Sequence, residues 1–108
     1  MVKPTSYMQR IASLLKDAAH ELLMAVDQLE ERIGVAAEHA QHAKALENRV
    51  ESVYREALAD LFNAAKGNDN DVIVRILKQR EVYRHLSNAA DRGDEAASVI
   101  ADIVVKVA

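Results

Sequence analysis

The chain contains no cysteine and no tryptophan, and it has only one proline, one phenylalanine and three tyrosines among 108 residues. Without cysteine, disulfide frameworks, thiolate nucleophiles and thiolate metal sites are excluded. With few aromatic side chains and nineteen alanines, the core has to be thin and built from closely approaching helices. The N-terminus lacks a charged-then-apolar leader pattern, and no window approaches the ~20 apolar residues that cross a bilayer. We therefore expect a soluble, cytoplasmic, all-α protein.

The charges show no strong excess of either sign. The formal net charge is −3, and acidic and basic residues are interspersed along the chain. Nonspecific nucleic-acid binding needs a basic stripe that displaces counterions from phosphates. We expect no nucleic-acid partner, and contact with a membrane only through a partner protein. A chain of this length is typical of a single domain, here residues 1–108.

The first helix is predicted from apolar periodicity. Apolar residues between Ile11 and Leu29 recur at alternating spacings of four and three, which indicates one amphipathic helix over residues 4–33. Pro4 suits the first turn of this helix, where its missing N–H leaves no bond unmade. Gly34 is predicted to end the helix by adopting the left-handed conformation.

Two further helices follow in the sequence. A second periodic run predicts a helix over residues 36–66, and "KGNDND" at residues 66–71 breaks it, with a C-terminal glycine and side chains that cap the next helix. The third helix is predicted over residues 70–107. Its end, "IADIVVKVA", is β-branched, but no partner strand is available and we keep it helical. Three such helices predict an elongated antiparallel three-helix bundle.

Carboxylates recur at helical spacing on the second and third helices. Glu47 and Glu51 are four residues apart, as are Asp91 and Glu95, with Asp94 beside them. A hairpin between these helices places the two groups at the same height. Carboxylates in this arrangement repel one another unless they are solvated or bridged by cations. These five acids are therefore the candidate metal ligands, and oxygen ligands suit Mg²⁺, Mn²⁺, Ca²⁺ or Fe.

The alternative interpretation is a solvated acidic face without metal. Acids at helical spacing are usually solvated, and Arg49, Arg84 and Arg92 could neutralise them as ordinary ion pairs. The chain would then be a metal-free helical module for interaction or oligomerisation. Both interpretations stay open at the level of residue pattern.

The histidines give weaker signals. In "EHAQH" (residues 38–42) and "EVYRH" (residues 81–85), Glu and His are four apart, whereas di-iron bundles use Glu and His three apart. We interpret these histidines as surface or boundary residues, with His85 the one near the acids. No phosphate loop, nucleophile elbow or Ser/His/Asp arrangement is present, so we expect no enzyme. A ferritin-like carboxylate metal enzyme is the least favoured alternative.

Two segments of the chain resemble a known family. "LENRVESVYREALADLF" and "LKQREVYRHLSNAADRGDEAASVIADIVVKVA" are similar to the C-terminal half of the PhoU-like proteins that accompany Pit-type inorganic phosphate transporters. The matching elements are Leu46, Glu47, Glu51, Tyr54, Arg55, Ala57, Leu61, Phe62, Lys78, Tyr83, Asp91, Arg92, Asp94, Glu95, Ile103, Val104 and Lys106. The resemblance covers residues 46–108 well and the first helix only by length and pattern.

The resemblance implies a fold and a function. PhoU-like domains are three-helix bundles whose acidic motifs bind metal, so Glu47, Glu51 and Asp91 with its neighbours would face iron, zinc, manganese or magnesium ions. The family implies a regulatory or accessory role in phosphate transport, through contact with a Pit-type transporter or a phosphate-sensing system. Family members usually contain two such units, which implies that the chain is either a fragment of a two-unit protein or a half-length member that forms a homodimer. This sequence departs from the family at Ser87, usually glutamate, at Glu51, usually aspartate, and at Gly93, where a larger residue is common.

Overall fold

The computed structural model describes residues 5–64 and 70–107, which form three helices. These are α1 (Ser6–Asp27), α2 (Ile33–Ala64) and α3 (Asn70–Val107). The described residues contain no strand, and the principal extents of 58 × 19 × 14 Å match the length of about 57 Å expected for a 38-residue helix. The predicted elongated, all-α three-helix bundle is confirmed. None of these helices, over the ranges described, is long and apolar enough to cross a membrane.

The start of α1 is fixed by the hydroxyl of Thr5. Its Oγ1 accepts a hydrogen bond from the Met8 backbone N–H at 3.1 Å, as an N-cap residue does. The same oxygen lies 2.6 Å from the hydroxyl of Tyr83, so the beginning of α1 is tied to the middle of α3. The predicted role of Pro4 lies outside the described residues.

The end of α1 differs from the prediction. The helix ends at Asp27, six residues before the predicted end, and Gly34 lies inside α2. No described glycine has positive φ, so the prediction that Gly34 ends the first helix is wrong. The physical reason is that the chain turns without a residue of positive φ in the described ranges. Gln28 has φ −97° and ψ −1° and donates to the carbonyls of Met24 and Ala25.

The second connection agrees with the predicted break where the structure describes it. α2 ends at Ala64 and α3 begins at Asn70, against predicted bounds of 66 and 70. The predicted glycine cap lies in residues 65–69, outside the described residues. α3 continues to Val107, so the β-branched end is helical, as predicted.

The core consists of two clusters along the bundle. The larger cluster surrounds Ile11 and Tyr83, which are 0% and 1% exposed, and the smaller one joins Ala25, Ala40 and Ile100 at the other end. The buried alanines are Ala18, Ala25, Ala36, Ala40, Ala43, Ala57, Ala90 and Ala97. Because alanine adds little bulk between helices, α1 and α3 approach α2 closely. The stretch of α2 between the two clusters carries the candidate site.

Candidate metal centre

Among the residues that the structure describes, Glu47 is the one ionisable acid or base classed as a buried polar side chain. It is 4% exposed and lies on the inward stripe of α2 that includes the fully buried Ala43 and Val50, at spacings of four and three. Both of its carboxylate oxygens are buried, and neither has a hydrogen-bond partner in the described part of the structure. A buried polar group without a partner costs free energy. This carboxylate is therefore the feature that most requires an explanation.

The surroundings of Glu47 disfavour its ionised form. Burial raises its pKa from 4.5 to about 7, with the negative charge of Asp94, and less strongly that of Asp91, acting in the same direction. The ammonium group of Lys44 acts in the opposite sense but does not cancel the burial. The site therefore favours either a proton or a cation on this carboxylate.

An acidic cleft between α2 and α3 adjoins the carboxylate. It is lined by Glu47, Asn48, Glu51, Ser87, Ala90, Asp91 and Asp94, with a volume of about 50 Å³. A single water needs about 10–15 Å³ on this measure, so the cleft has room for a cation and a few waters. Four of the five predicted acids line it. The fifth, Glu95, is exposed and does not line the cleft, so the structure separates it from the group.

Gly93 lies against the Glu47 carboxylate from the α3 side. A Cβ atom at residue 93 would lie 2.9 Å from both Cδ and Oε1 of Glu47 and 3.0 Å from Oε2. Real Cβ atoms essentially never approach a neighbour this closely. The absence of a side chain at Gly93 therefore leaves the space that the carboxylate occupies.

Neighbouring cations pair with other acids of the cleft. Lys44 Nζ donates to Ser98 Oγ at 2.6 Å and lies 3.4 Å from Asp94 Oδ1. Arg55 donates to Glu51 at 2.9 Å along the same helix. Arg84, one of the three arginines of the alternative interpretation, donates to Glu81, three residues away on α3, and not to an acid of the cleft. Ion pairing therefore accounts for Asp94 and Glu51 but leaves the buried Glu47 without a partner.

A second group of potential ligands lies between α1 and α2. Glu21, His39 and His42 place one ligand atom each within 4.8 Å of the others, and in the described ranges no other such trio occurs, the acidic cleft included. Glu21 Oε2 lies 2.5 Å from His39 Nδ1 and 3.6 Å from His42 Nδ1. The hydrogen bond with His39 lowers the pKa of Glu21 against the opposing effect of burial, and the proximity of both imidazoles adds to the lowering.

The sequence predicted surface or boundary positions for these histidines, and their exposure agrees with that prediction, but it did not predict their contact with Glu21. His85 is a surface residue with a side chain 71% exposed, as predicted. The His39 side chain is only 18% exposed, because Glu21 on the neighbouring helix packs over it. The available signal was the spacing of three between His39 and His42, which places them on one helix face. Their acidic partner follows only from the register of α1 against α2.

Comparison with known proteins gives one informative likeness. The chain is 27% identical over 101 residues to the UPF0111 protein YkaA of Bacillus subtilis (strain 168). The likeness covers 93% of this chain and 47% of the relative, so the chain spans about half the length of that protein. No family profile matches the chain, and no solved structure matches it significantly.

Proposed function

We propose that the chain is a PhoU-like, cation-binding regulatory or accessory protein of inorganic phosphate transport. It binds a cation at the acidic cleft and acts by contact with a transporter or a phosphate-sensing protein in the cytoplasm. The observation that carries the cation site is the carboxylate of Glu47, which is buried beside other acids with no hydrogen-bond partner. The phosphate-transport role rests on the family resemblance of residues 46–108. The likeness to YkaA, which covers most of the chain, supports the PhoU-like resemblance but not the role itself.

The residue types that line the cleft suit a cation with oxygen ligands. Their ligand atoms do not lie within 4.8 Å of one another as a trio in the described structure, so a bound ion would draw the side chains together. Glu47 supplies a carboxylate with free lone pairs, Asp91 and Asp94 line the same cleft, and the absence of a side chain at Gly93 makes room for the Glu47 carboxylate itself. Ser87, also in the lining, offers a hydroxyl where the family has a carboxylate. A bound Mg²⁺, Mn²⁺, Fe or Zn²⁺ ion would neutralise the negative charge that α2 and α3 bring together. In this chain Glu47 and Asp91 are the principal ligands in our proposal.

We propose that the contact surface lies on the C-terminal half of α3. Val99, Ile103 and Val107 follow at intervals of four, so they lie along one face, and they are 58%, 38% and 68% exposed. Exposed apolar stripes mark contact sites between proteins. We propose that a second copy of the chain covers this face, because YkaA is about twice as long as the matched region. Sedimentation equilibrium of the wild type and of Val99→Glu tests this homodimer, and a monomeric wild type would contradict it.

The cation site is tested by metal content per chain after incubation with Mn or Mg and removal of excess ion. We expect stoichiometric metal in the wild type and its loss in a Glu47→Gln, Asp91→Asn double variant. Glu56→Gln with Asp60→Asn is the control, since it also neutralises one glutamate and one aspartate, both at exposed positions outside the cleft. Glu95→Gln, outside the cleft, should also retain the metal. Equal metal content in all variants would contradict the proposed centre.

The role in phosphate transport needs a separate test. Affinity purification of the chain from cells that express a Pit-type transporter should recover the transporter, and the yield should fall when the cleft acids are neutralised. If the double variant recovers as much transporter as the wild type, binding of the partner does not depend on the cation. Failure to recover any transporter would contradict the proposed role while leaving the cation site standing.

A metal-free interaction module is the second candidate. The Lys44–Asp94 and Arg55–Glu51 pairs and the apolar stripe on α3 support it. In that case Glu47 would be held neutral by a proton, and Mn²⁺ would not change the stability of the wild type. The two candidates are therefore separated by the dependence of the free energy of unfolding on cations.

A further inference from the structure

The structure places three metal-ligating side chains at the junction of α1 and α2. Glu21 projects from α1, and His39 and His42 project from one face of α2, one helical turn apart. The side chains of Glu21 and His39 are 24% and 18% exposed, whereas His42 is 62% exposed. The group is therefore anchored on its inner side and open to solvent on its outer side.

The separations of the ligand atoms suit a small transition-metal ion. Ligands at ~2.0–2.1 Å from a tetrahedral Zn²⁺ lie roughly 3.3 Å from one another. Glu21 Oε2 lies 2.5 Å from Nδ1 of His39 and 3.6 Å from Nδ1 of His42, which brackets that separation. The imidazole rings lie at 86° with centroids 6.1 Å apart, so they do not stack face to face. Small rotations of the side chains would direct all three atoms at one point.

We propose that Glu21, His39 and His42 form a binding site for a borderline divalent transition-metal ion, of which Zn²⁺ is the probe, with a fourth position open to solvent. Two imidazole nitrogens and one carboxylate form a ligand set that zinc sites use. In the metal-free chain, Glu21 Oε2 and His39 Nδ1 are joined by a hydrogen bond. Binding would replace that hydrogen bond by metal–ligand bonds from α1 and α2 and thereby clamp the two helices together near their connection.

This site differs from the acidic cleft in ligands and location. It uses nitrogen ligands on the α1 side of α2, whereas the cleft uses only oxygen ligands between α2 and α3. Imidazole favours Zn²⁺, Ni²⁺ and Cu²⁺ over Mg²⁺. The two sites are thus expected to respond to different ions and to different substitutions. The inference does not depend on the proposed role in phosphate transport.

Zinc titration calorimetry on the untagged full chain at pH 7.5 tests the site. We expect a binding event of one zinc ion per chain at these three residues, separate from any zinc taken up by the acidic cleft. This event should weaken at least about tenfold in His42→Ala, since even loss of a group outside the ligand shell costs 10–100-fold. His42 is mostly exposed, so this substitution should leave the helical circular dichroism unchanged. His85→Ala is the matched control, because His85 also lies beside a glutamate, Glu81, on a helix surface, and it should bind as the wild type does.

Two further variants make the result decisive. Glu21→Gln should weaken zinc binding as His42→Ala does, whereas Glu47→Gln should leave the histidine-dependent event intact. Cobalt(II) in place of zinc should give visible absorption bands of a four-coordinate ion in the wild type and lose them in His42→Ala. Zinc binding that is equally tight in wild type and His42→Ala, or equally weakened by His85→Ala, would overturn the proposal.

Discussion

Gly93 on α3 and Glu47 on α2 are so close that a Cβ atom on residue 93 would lie 2.9 Å from Oε1 of the carboxylate. Glycine within a helix costs about 1 kcal/mol relative to alanine. Gly93 therefore lowers the stability of α3 at the point where α2 buries an acidic side chain. The missing side chain makes room for the Glu47 carboxylate next to the acidic cleft.

Gly93→Ala should separate helix stability from cation binding. Alanine favours the helix by about 1 kcal/mol, but its methyl group has to displace the Glu47 carboxylate. Without metal, the free energy of unfolding of Gly93→Ala should lie within about 1 kcal/mol of the wild-type value. Its affinity for Mn²⁺ should be lower by at least about tenfold. Calorimetric titration with Mn²⁺ checks this. The control, Ala96→Gly at an exposed position of α3, should weaken the helix but retain Mn²⁺ affinity; unchanged affinity in Gly93→Ala would refute the explanation.

The stability of the metal-free chain should fall as Glu47 ionises. Its pKa is about 7 in the folded chain against an ordinary value of 4.5, so the folded state holds this proton more tightly than the unfolded state. The free energy of unfolding should therefore decrease between about pH 4.5 and 7.5, by up to roughly 3 kcal/mol. Urea unfolding in EDTA across this range measures the effect. Glu47→Gln should lack this component, and identical profiles for the two proteins would contradict it.

Ile11 should contribute strongly to stability. It is 0% exposed in the larger core cluster, so Ile11→Ala leaves a cavity and should lower the free energy of unfolding by about 2–5 kcal/mol. Leu23→Ala on the same helix is the control, since Leu23 is 59% exposed and should change stability by less than about 1 kcal/mol. Chemical denaturation of both variants checks the difference. Equal effects would mean that α1 does not pack as described.

The hydrogen bond between Thr5 and Tyr83 should couple the start of α1 to α3. Tyr83→Phe removes the hydroxyl that lies 2.6 Å from Thr5 Oγ1, and we expect a loss of about 1 kcal/mol. A double-mutant cycle with Thr5→Val isolates the pair from the N-cap bond to Met8, which Thr5→Val also removes. A coupling energy near zero would show that the two hydroxyls do not interact in solution.

The sequence predicted the fold well because apolar periodicity is a local property. It predicted three helices, the start of α3 and the helical conformation of the β-branched residues up to Val107, and it placed the acids around Glu47 and Asp91 at the same height. It misplaced the end of α1, since a turn without a residue of positive φ has no glycine signature and Gly34 looked like a cap. The burial of Glu47 and the Glu21–His39 contact depend on the register between helices, which no local pattern specifies.

The most direct test of the cation site is equilibrium unfolding at pH 8 with and without Mn²⁺, for the wild type and Glu47→Gln. A ligand that binds only the folded state adds about 2.7 kcal/mol at 100 times its Kd. We expect Mn²⁺ at that concentration to stabilise the wild type by about this amount and to leave Glu47→Gln unchanged. In EDTA, Glu47→Gln should be the more stable protein. Equal stabilisation of both proteins by Mn²⁺, or of neither, would contradict a cation site at Glu47.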